Sequence, residues 1–246
     1  MTPPGSVELL IARFSECLKA YDHDCQFTKY GQLEYHIATI ERRRELGSAI
    51  AALDDHAFKW SLYQTLQAWQ IGQRASRLKS FQAFEKALSV RAPQIRELDG
   101  LTIDQANLAV RAIGERLAGL VQGLDIVENK ARVVPGSKTL HHILPDLVVP
   151  IDRAYTQQFF EWPNPRFQNY PEKCFIEAFD AFVKIARATN PAQYVGTGWY
   201  TSRSKVIDNA IVGLWCLVKA EVKKRQQLGN LTIQRTRGTG CSPTGS

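Results

Sequence analysis

Residues 134–160 read VPGSKTLHHILPDLVVPIDRAYTQQFF, and this stretch carries the strongest local pattern in the chain. The adjacent Pro135 and Gly136 predict a tight, hairpin-like turn that leads into a short helix over 138–144. Residues 147–151 are apolar and include a proline, which predicts an extended connection. A second helix is expected to begin at Asp152. The stretch therefore predicts two helices joined by a turn-rich, largely buried segment.

Outward from this stretch, apolar residues recur every three or four positions, first in the stripe over residues 7–18. A capping box of Thr102 and Gln105 predicts a further helix through Leu120, whereas residues 162–170 predict a loop. The sequence contains no alternation of apolar and polar residues typical of strands and no repeat of fixed period. We therefore expect an all-α fold, a compact bundle of many helices.

The 246 residues are 44% hydrophobic and carry a net charge of +7. This composition is that of a folded globular protein, and its basic balance favours an anionic partner such as nucleic acid. We expect one helical domain over 1–228, either undivided or formed by two lobes, 1–125 and 126–228, with a cleft between them. Residues 229–246 are polar and lack acidic side chains, which predicts a flexible tail.

Cysteines are scattered at positions 17, 25, 174, 216 and 241, without the paired spacing of a zinc or iron–sulfur site. The N-terminus lacks the basic and apolar regions of a secretory leader, and no window holds the roughly 20 apolar residues of a membrane span. We therefore expect a cytoplasmic protein with no metal, no cofactor and no membrane partner. The pattern implies no obligate protein partner.

The opening stretch resembles the signature of the helix–hairpin–helix DNA glycosylase superfamily. In that signature a Pro-Gly-rich hairpin enters a helix carrying Lys-Thr, and a Val-Pro-x-Asp step enters the next helix. The matching residues here are Pro135, Gly136, Lys138, Thr139, Val149, Pro150 and Asp152. The resemblance implies an enzyme that extrudes a base from double-stranded DNA and cleaves its N-glycosidic bond. The hairpin is shorter than is usual in the superfamily, which favours a specialised branch.

Asp152 is the first candidate catalytic residue. Breaking a base–sugar bond develops positive charge on the sugar, so a carboxylate beside the anomeric carbon stabilises the transition state. At a predicted helix start, backbone N–H groups favour the ionised carboxylate. The alternative is that Asp152 only caps the helix, and the two roles are compatible.

Lys138 is the second candidate. The resemblance implies a lysine that attacks the sugar, forms a Schiff base and then nicks the strand, as in the bifunctional members of the superfamily. A desolvated lysine has a lowered pKa and becomes nucleophilic, whereas a surface lysine does not. The alternative is a lysine that contacts phosphate or is simply exposed.

His141 and His142 follow Lys138 by one helical turn, and one of them can share its face and line the base pocket. With Asp146 they also suggest a metal site, although adjacent helix residues point in different directions. The remaining alternative is a pair of buried histidines with a packing role.

An extruded base needs aromatic walls, and the distorted backbone around it needs cationic contacts. Tyr155, one turn after Asp152, and Trp199, in a glycine-rich loop, are the predicted walls, unless they merely cover the core. The predicted DNA contacts are Gly136, Ser137, Arg153, Arg166, Arg203 and Lys205.

The sequence therefore predicts a DNA glycosylase, acting either on bulky modified cytosines of phage DNA in defence or on damaged bases of host DNA in repair. One alternative is a helical protein that grips DNA phosphates through Gly136 and Lys138 without cleaving any bond. The other is a metal-dependent nuclease, built on His141, His142, Asp146 and Asp152.

Overall fold

The computed structural model describes residues 6–25, 27, 31–72 and 76–237, with side chains described through residue 224 except for that of Cys25. The described residues form α-helices joined by turns, with no β-strand among them, which confirms the all-α class. The elements in chain order are α1 (Ser6–Ala12), α2 (Phe14–Ala20), a π-helical turn (Tyr21–Cys25), α3 (Gln32–Glu45), α4 (Ala49–Asp54), α5 (His56–Ala68), α6 (Phe81–Arg96), α7 (Val110–Gly123), α8 (Val133–Ile143), α9 (Thr156–Phe159), α10 (Asn164–Asn169), α11 (Pro171–Thr189), a 3-10 turn (Pro191–Tyr194) and α12 (Arg203–Arg237).

Several helix boundaries follow from the local sequence. Ser80 caps α6, because its Oγ accepts a hydrogen bond from the N–H of Ala83 at 3.4 Å. Asp55 caps α5 in the same way, through the N–H of Phe58 at 2.6 Å. Asn190 ends α11 in the left-handed conformation, with φ of 47°. These boundaries depend on hydrogen bonds between neighbours in the chain.

The first half of α12 is buried and packs against α2, while α7 packs against α11 and α3 against α5. Gly213 allows the close crossing of α12 and α2, since a Cβ there would overlap the backbone carbonyl of Cys17. Residues from both expected lobes, 1–125 and 126–228, contribute to one continuous hydrophobic core. The two expected lobes therefore share one core.

The hairpin predicted at Pro135 and Gly136 is wrong, because α8 begins at Val133 and contains both residues. Pro135 is tolerated in the first helical turn, where backbone N–H groups lack intrahelical partners anyway. A Cβ on Gly136 would lie 2.9 Å from the carbonyl oxygen of Val121. The glycine thus allows α8 to pack closely on α7 and leaves no exposed hairpin at this position.

Three other boundaries differ from the sequence prediction. Gln105 forms no capping box, because its Nε2 donates to Asn107 Oδ1 at 2.8 Å and α7 begins only at Val110. A turn over 153–155 separates Asp152 from α9. The predicted loop over 162–170 contains α10.

α12 continues without interruption through the predicted start of the tail at Gly229 and ends at Arg237, and residues 238–246 lie outside the described part of the chain. Within that part, no helix has both the length and the apolar character that a membrane crossing requires. Cys17 and Cys174 are free, buried thiols, whereas Cys216 is disulfide-bonded. The scattered cysteines therefore do not by themselves indicate a reducing compartment.

Candidate active site

A cavity of about 490 Å³ lies where α8, the segment after it and the first turns of α12 meet. Its size falls within the range of ligand pockets, about 300 to 1,000 Å³. The aromatic side chains that line it are Phe27, Trp69, Tyr155 and Trp199. The charged side chains that line it are Lys138, Lys205, Asp152 and Asp208. Stacking surfaces and opposite charges therefore face one open cavity.

Lys138 is half-buried on α8, and its Nζ lies 5.2 Å from the ring centroid of Trp69. Burial lowers the pKa of Lys138, while the negative charges of Asp152 and Asp208 partly restore it. The cation is thus held against an aromatic face and near carboxylates instead of in open water. The nucleophile interpretation of Lys138 requires an environment of this kind.

Asp152 is half-buried on the cavity wall, directly after the extended segment. Its Oδ1 accepts a hydrogen bond from the N–H of Tyr155 at 2.7 Å, and its own N–H donates to Thr156 Oγ1 at 3.1 Å. Asp152 therefore caps the turn that precedes α9 and also presents negative charge to the cavity. That charge contributes to raising the pKa of Tyr155, after burial itself.

Lys205 is one of the predicted DNA contacts, and its side chain, only 1% exposed, lies on the cavity wall. The Nζ donates to Asp208 Oδ2 at 2.6 Å and to Asn209 Oδ1 at 2.7 Å. It also lies 4.8 Å from the ring centroid of Trp199. Because α12 turns this residue inward, the predicted contact of Lys205 with DNA is confined to a nucleotide inside the cavity and stays a prediction.

Asp208 is a site residue that the sequence analysis missed. Burial raises its pKa, and the positive charge of Lys205 opposes that rise. The available signal was a Lys-x-x-Asp-Asn pattern at spacings of three and four within an otherwise apolar helix stripe. Polar residues that share one buried helix face indicate a satisfied network or a site.

Three histidines form a buried layer behind the aromatic wall of the cavity. His36 on α3 stacks on Trp199 at 5.4 Å, and His142 on α8 contacts Trp69 at 4.9 Å between ring centroids. His141 and His142 are both fully buried and do not line the cavity, so their prediction as base-pocket residues is wrong. They support the tryptophans from behind.

The hydrogen bonds of this layer determine its proton positions. The carbonyl of Lys138 can only accept, so His142 donates to it from Nδ1 at 2.8 Å. His142 Nε2 then accepts from His36 Nδ1 at 3.0 Å, and His36 Nε2 accepts from Thr201 Oγ1 at 2.7 Å. Burial lowers the pKa of His142 to about 4 and that of His36 well below 6.5. The hydrogen-bonded chain from the Thr201 hydroxyl through the two imidazoles to the backbone carbonyl of Lys138 is therefore neutral at pH 7.

The side chains suggested for a metal site have other partners. His141 Nδ1 donates to the carbonyl of Val148 at 2.9 Å, and Asp146 Oδ1 accepts from the N–H of Arg203 at 3.1 Å. Among the described residues, no group of His, Cys, Asp and Glu side chains is arranged to hold a metal ion. No observation in this region therefore favours the metal-site interpretation.

The predicted DNA contacts at Gly136 and Ser137 are wrong, because both residues are buried. Ser137 Oγ accepts a hydrogen bond from the N–H of Ile151 at 3.0 Å and thereby fixes the extended segment onto α8. Its role is structural and positions Asp152, the next residue in the chain.

The predicted arginine contacts differ in how far they are free to bind a ligand. Arg203 forms ion pairs with Asp104 at 3.2 Å and Asp146 at 3.4 Å. Arg166 is paired with Glu177. Arg153 is exposed and precedes Ala154, a residue of the cavity lining, and its guanidinium group donates to Gln157 Oε1 and Asn164 Oδ1, both at 3.4 Å. All three arginines therefore have partners within the protein, and Arg153 is the most exposed of them.

The fold thus joins five residues predicted from the sequence, Lys138, Asp152, Tyr155, Trp199 and Lys205, with Trp69 and Asp208 in one cavity. Comparison of the chain with protein-family models, with curated proteins and with solved structures gives no match.

Proposed function

We propose that this protein is a DNA glycosylase, which takes an extruded nucleotide into the cavity and cleaves the bond between base and sugar. The observation that carries the proposal is the placement of Lys138 and Asp152 on one aromatic-walled cavity of about 490 Å³. The resemblance of the sequence to the helix–hairpin–helix glycosylase signature points to the same two residues. Their meeting in a concave site is what base excision requires.

Asp152 would supply the electrostatic part of the reaction. As the C1′–N bond breaks, its electron pair leaves with the base and positive charge develops at C1′. A carboxylate fixed by the Tyr155 N–H and partly shielded from water stabilises that charge more than a solvated one would. The departing base takes up a proton, and water or an amine adds to C1′.

Lys138 would supply the amine in a bifunctional reaction. Its neutral amine adds to C1′ and passes a proton to Asp152. The C1′–O4′ bond then breaks as the nitrogen electron pair forms the C=N bond, O4′ takes up the proton, and a Schiff base with the opened sugar results. The lowered pKa of Lys138 increases the fraction of neutral amine at a given pH. In a monofunctional reaction water adds instead, and Asp152 accepts its proton.

The aromatic walls and the buried ion pair would hold the base. Trp69, Trp199 and Tyr155 provide surfaces for stacking. Lys205 and Asp208 provide a donor and an acceptor that can bind the polar edge of the base. The volume of the cavity also admits a base enlarged by a substituent, which supports a modified cytosine as one candidate substrate.

The test is base release measured by mass spectrometry, from cellular DNA and from phage DNA with modified cytosines. Wild-type protein should release one type of free base, and alkali should then cut the DNA at the vacated sites. Asp152→Asn should release it at least about 100-fold more slowly. Asp180→Asn, at an exposed carboxylate away from the cavity, is the matched control and should keep the wild-type rate.

Two results would overturn the proposal. One is a rate of base release in Asp152→Asn equal to that of the wild type. The other is tight, salt-dependent binding of DNA with every base left attached, which is the behaviour of the non-enzymatic alternative. Borohydride trapping in wild type but not in Lys138→Ala would assign the bifunctional reaction.

A further inference from the structure

We infer that the outer part of α12, residues 215–224, is the surface that binds the DNA strand leading into the cavity. This inference rests on the proposed function and assigns to α12 the backbone contacts that the buried hairpin residues cannot make. It identifies a single surface, defined by Trp215, Lys219, Lys223 and Lys224, which we call the α12 rim.

The α12 rim continues directly from the cavity wall. Lys205, Asp208 and Val212 line the cavity at helical spacing, and Trp215 is the next residue on that face. The ring of Trp215 meets the cavity residue Tyr155 edge-on, with centroids 5.2 Å apart. A strand whose nucleotide enters the cavity therefore passes this half-buried tryptophan.

Trp215 is held in place beside the cavity residue Tyr155. Its Nε1 donates to Gln158 Oε1 at 2.9 Å, which anchors the indole to α9. The Nζ of Lys219 lies 3.6 Å from the centroid of the same ring, so a cation covers one part of the platform. An oriented aromatic ring with an adjacent ammonium group suits a stacked base and its phosphate.

The charge of the α12 rim is strongly positive. Lys219, Lys223 and Lys224 are all exposed on consecutive turns. Glu221 is the acidic side chain among them, and it pairs at 2.9 Å with Arg13, which also pairs with Glu16. Three lysines and one glutamate give the described side chains of 215–224 a net charge of +2. Phosphates are a ligand of the opposite charge.

A nucleic acid strand fits this surface better than an anionic membrane does. A membrane-binding helix needs a free apolar face, and the exposed Val218 and Val222 are the apolar residues available here. The large aromatic residue, Trp215, is instead fixed against Tyr155 and Gln158 beside the cavity. The aromatic anchor is thus directed to the site and not to a lipid surface.

The first test compares two triple variants by fluorescence anisotropy with a labelled DNA duplex and a labelled single strand. Lys219→Gln/Lys223→Gln/Lys224→Gln should lose about 30-fold in affinity at about 50 mM salt, and the slope of log affinity against log salt should fall by about 2 to 3. The matched control removes three exposed lysine charges elsewhere, by Lys86→Gln/Lys130→Gln/Lys173→Gln. It should bind within about twofold of wild type.

The second test addresses the aromatic platform. Trp215→Ala should weaken binding of the single strand about tenfold, since one base–aromatic stack is lost. Trp60→Ala, at a tryptophan that is 44% exposed on α5, is the control and should leave binding unchanged. Far-ultraviolet circular dichroism of each variant verifies that the helical content is retained.

The inference is overturned if wild type binds no DNA, if both triple variants lose affinity equally, or if neither does. It is also overturned if the α12 rim lysines affect binding to phosphatidylserine vesicles but not to DNA. Loss of DNA binding in the α12 rim variant without any base release by wild type would retain this inference and reject the glycosylase proposal. If the α12 rim variant bound DNA as tightly as wild type and still released the base, this inference would be rejected and the glycosylase proposal retained.

Discussion

The ammonium group of Lys205 lies 2.6 Å from Oδ2 of Asp208, and the two side chains are 1% and 12% exposed on the wall of the same cavity. Such a pair is costly to bury and is maintained only because each charge compensates the other. Asn209 and the ring of Trp199 satisfy further sides of the ammonium group. The pair is therefore a fixed polar feature of the cavity.

Removing one partner of this pair should destabilise the protein strongly. Lys205→Met leaves Asp208 buried and unpaired, and we expect a loss of about 3 to 5 kcal/mol in the free energy of unfolding. Adding Asp208→Leu should recover a large part of that loss, because no buried charge then remains. Urea denaturation of the single and double variants measures the coupling. A double variant no more stable than Lys205→Met would contradict this account.

The capping role of Asp152 and its proposed catalytic role should separate by substitution. Asn can accept the N–H of Tyr155 as Asp does, so Asp152→Asn should change the free energy of unfolding little. Asp152→Ala loses the cap and should cost about 1 kcal/mol. Both should lose base-release activity alike. If Asp152→Asn retained activity and only Asp152→Ala lost it, the carboxylate charge would have no part in the reaction.

The titration of Lys138 should depend on Asp152. Burial lowers the pKa of Lys138 from its ordinary 10.5, and the negative charge of Asp152 raises it in part. Asp152→Asn should therefore shift the pKa of Lys138 further down. Nuclear magnetic resonance of lysine labelled at Cε measures the shift, with Asp180→Asn as the control that leaves it in place. A Lys138 that titrates at 10.5 in wild type would contradict the structure.

The buried histidine layer should make the fold sensitive to acid. His142 is neutral in the folded protein, with its pKa lowered to about 4, whereas in the unfolded chain it binds a proton near pH 6.5. The unfolded state thus takes up more protons between these values, so stability falls as the pH decreases through this window. From about pH 7.5 to pH 5, His142 alone should account for a loss of about 2 kcal/mol.

Urea denaturation at both pH values checks this expectation. His142→Gln should reduce the difference between them by about 2 kcal/mol. His56→Gln, at an exposed histidine on α5, is the control and should keep the wild-type difference. A pH dependence that is the same in His142→Gln and wild type would show that another group causes it.

The two glycines Gly136 and Gly119 should respond to alanine in opposite ways. A Cβ at position 136 would meet the Val121 carbonyl oxygen at 2.9 Å, so Gly136→Ala should lower stability by about 1 to 3 kcal/mol. Gly119 on α7 has open space at its Cβ position, and Gly119→Ala should stabilise by about 0.5 to 1 kcal/mol. Thermal unfolding measures both. If the two variants had equal midpoints of thermal unfolding, α8 and α7 would not be packed as closely as described.

Sequence patterns predicted those features of the site that lie close together in the chain. Lys138, Asp152 and Tyr155 were selected from one segment, and they meet in the cavity because Ser137 Oγ holds the extended connection at Ile151. The hairpin prediction failed at Gly136 because the same Pro-Gly pair that favours a turn is also compatible with a first helical turn against a close neighbour. Local pattern could not distinguish these outcomes.

What the sequence by itself determined is the all-α class and many of the helix ends, since caps such as Ser80 and Asp55 act through hydrogen bonds with residues three positions away. Only the tertiary structure decided that Trp69 joins Lys138, that His36 bonds to His142 and that Lys205 points inward. These partners lie far apart in the chain or on a helix whose inner face depends on what packs against it. Burial of apolar surface has no direction, so the identity of the neighbours emerges only when the whole core is assembled.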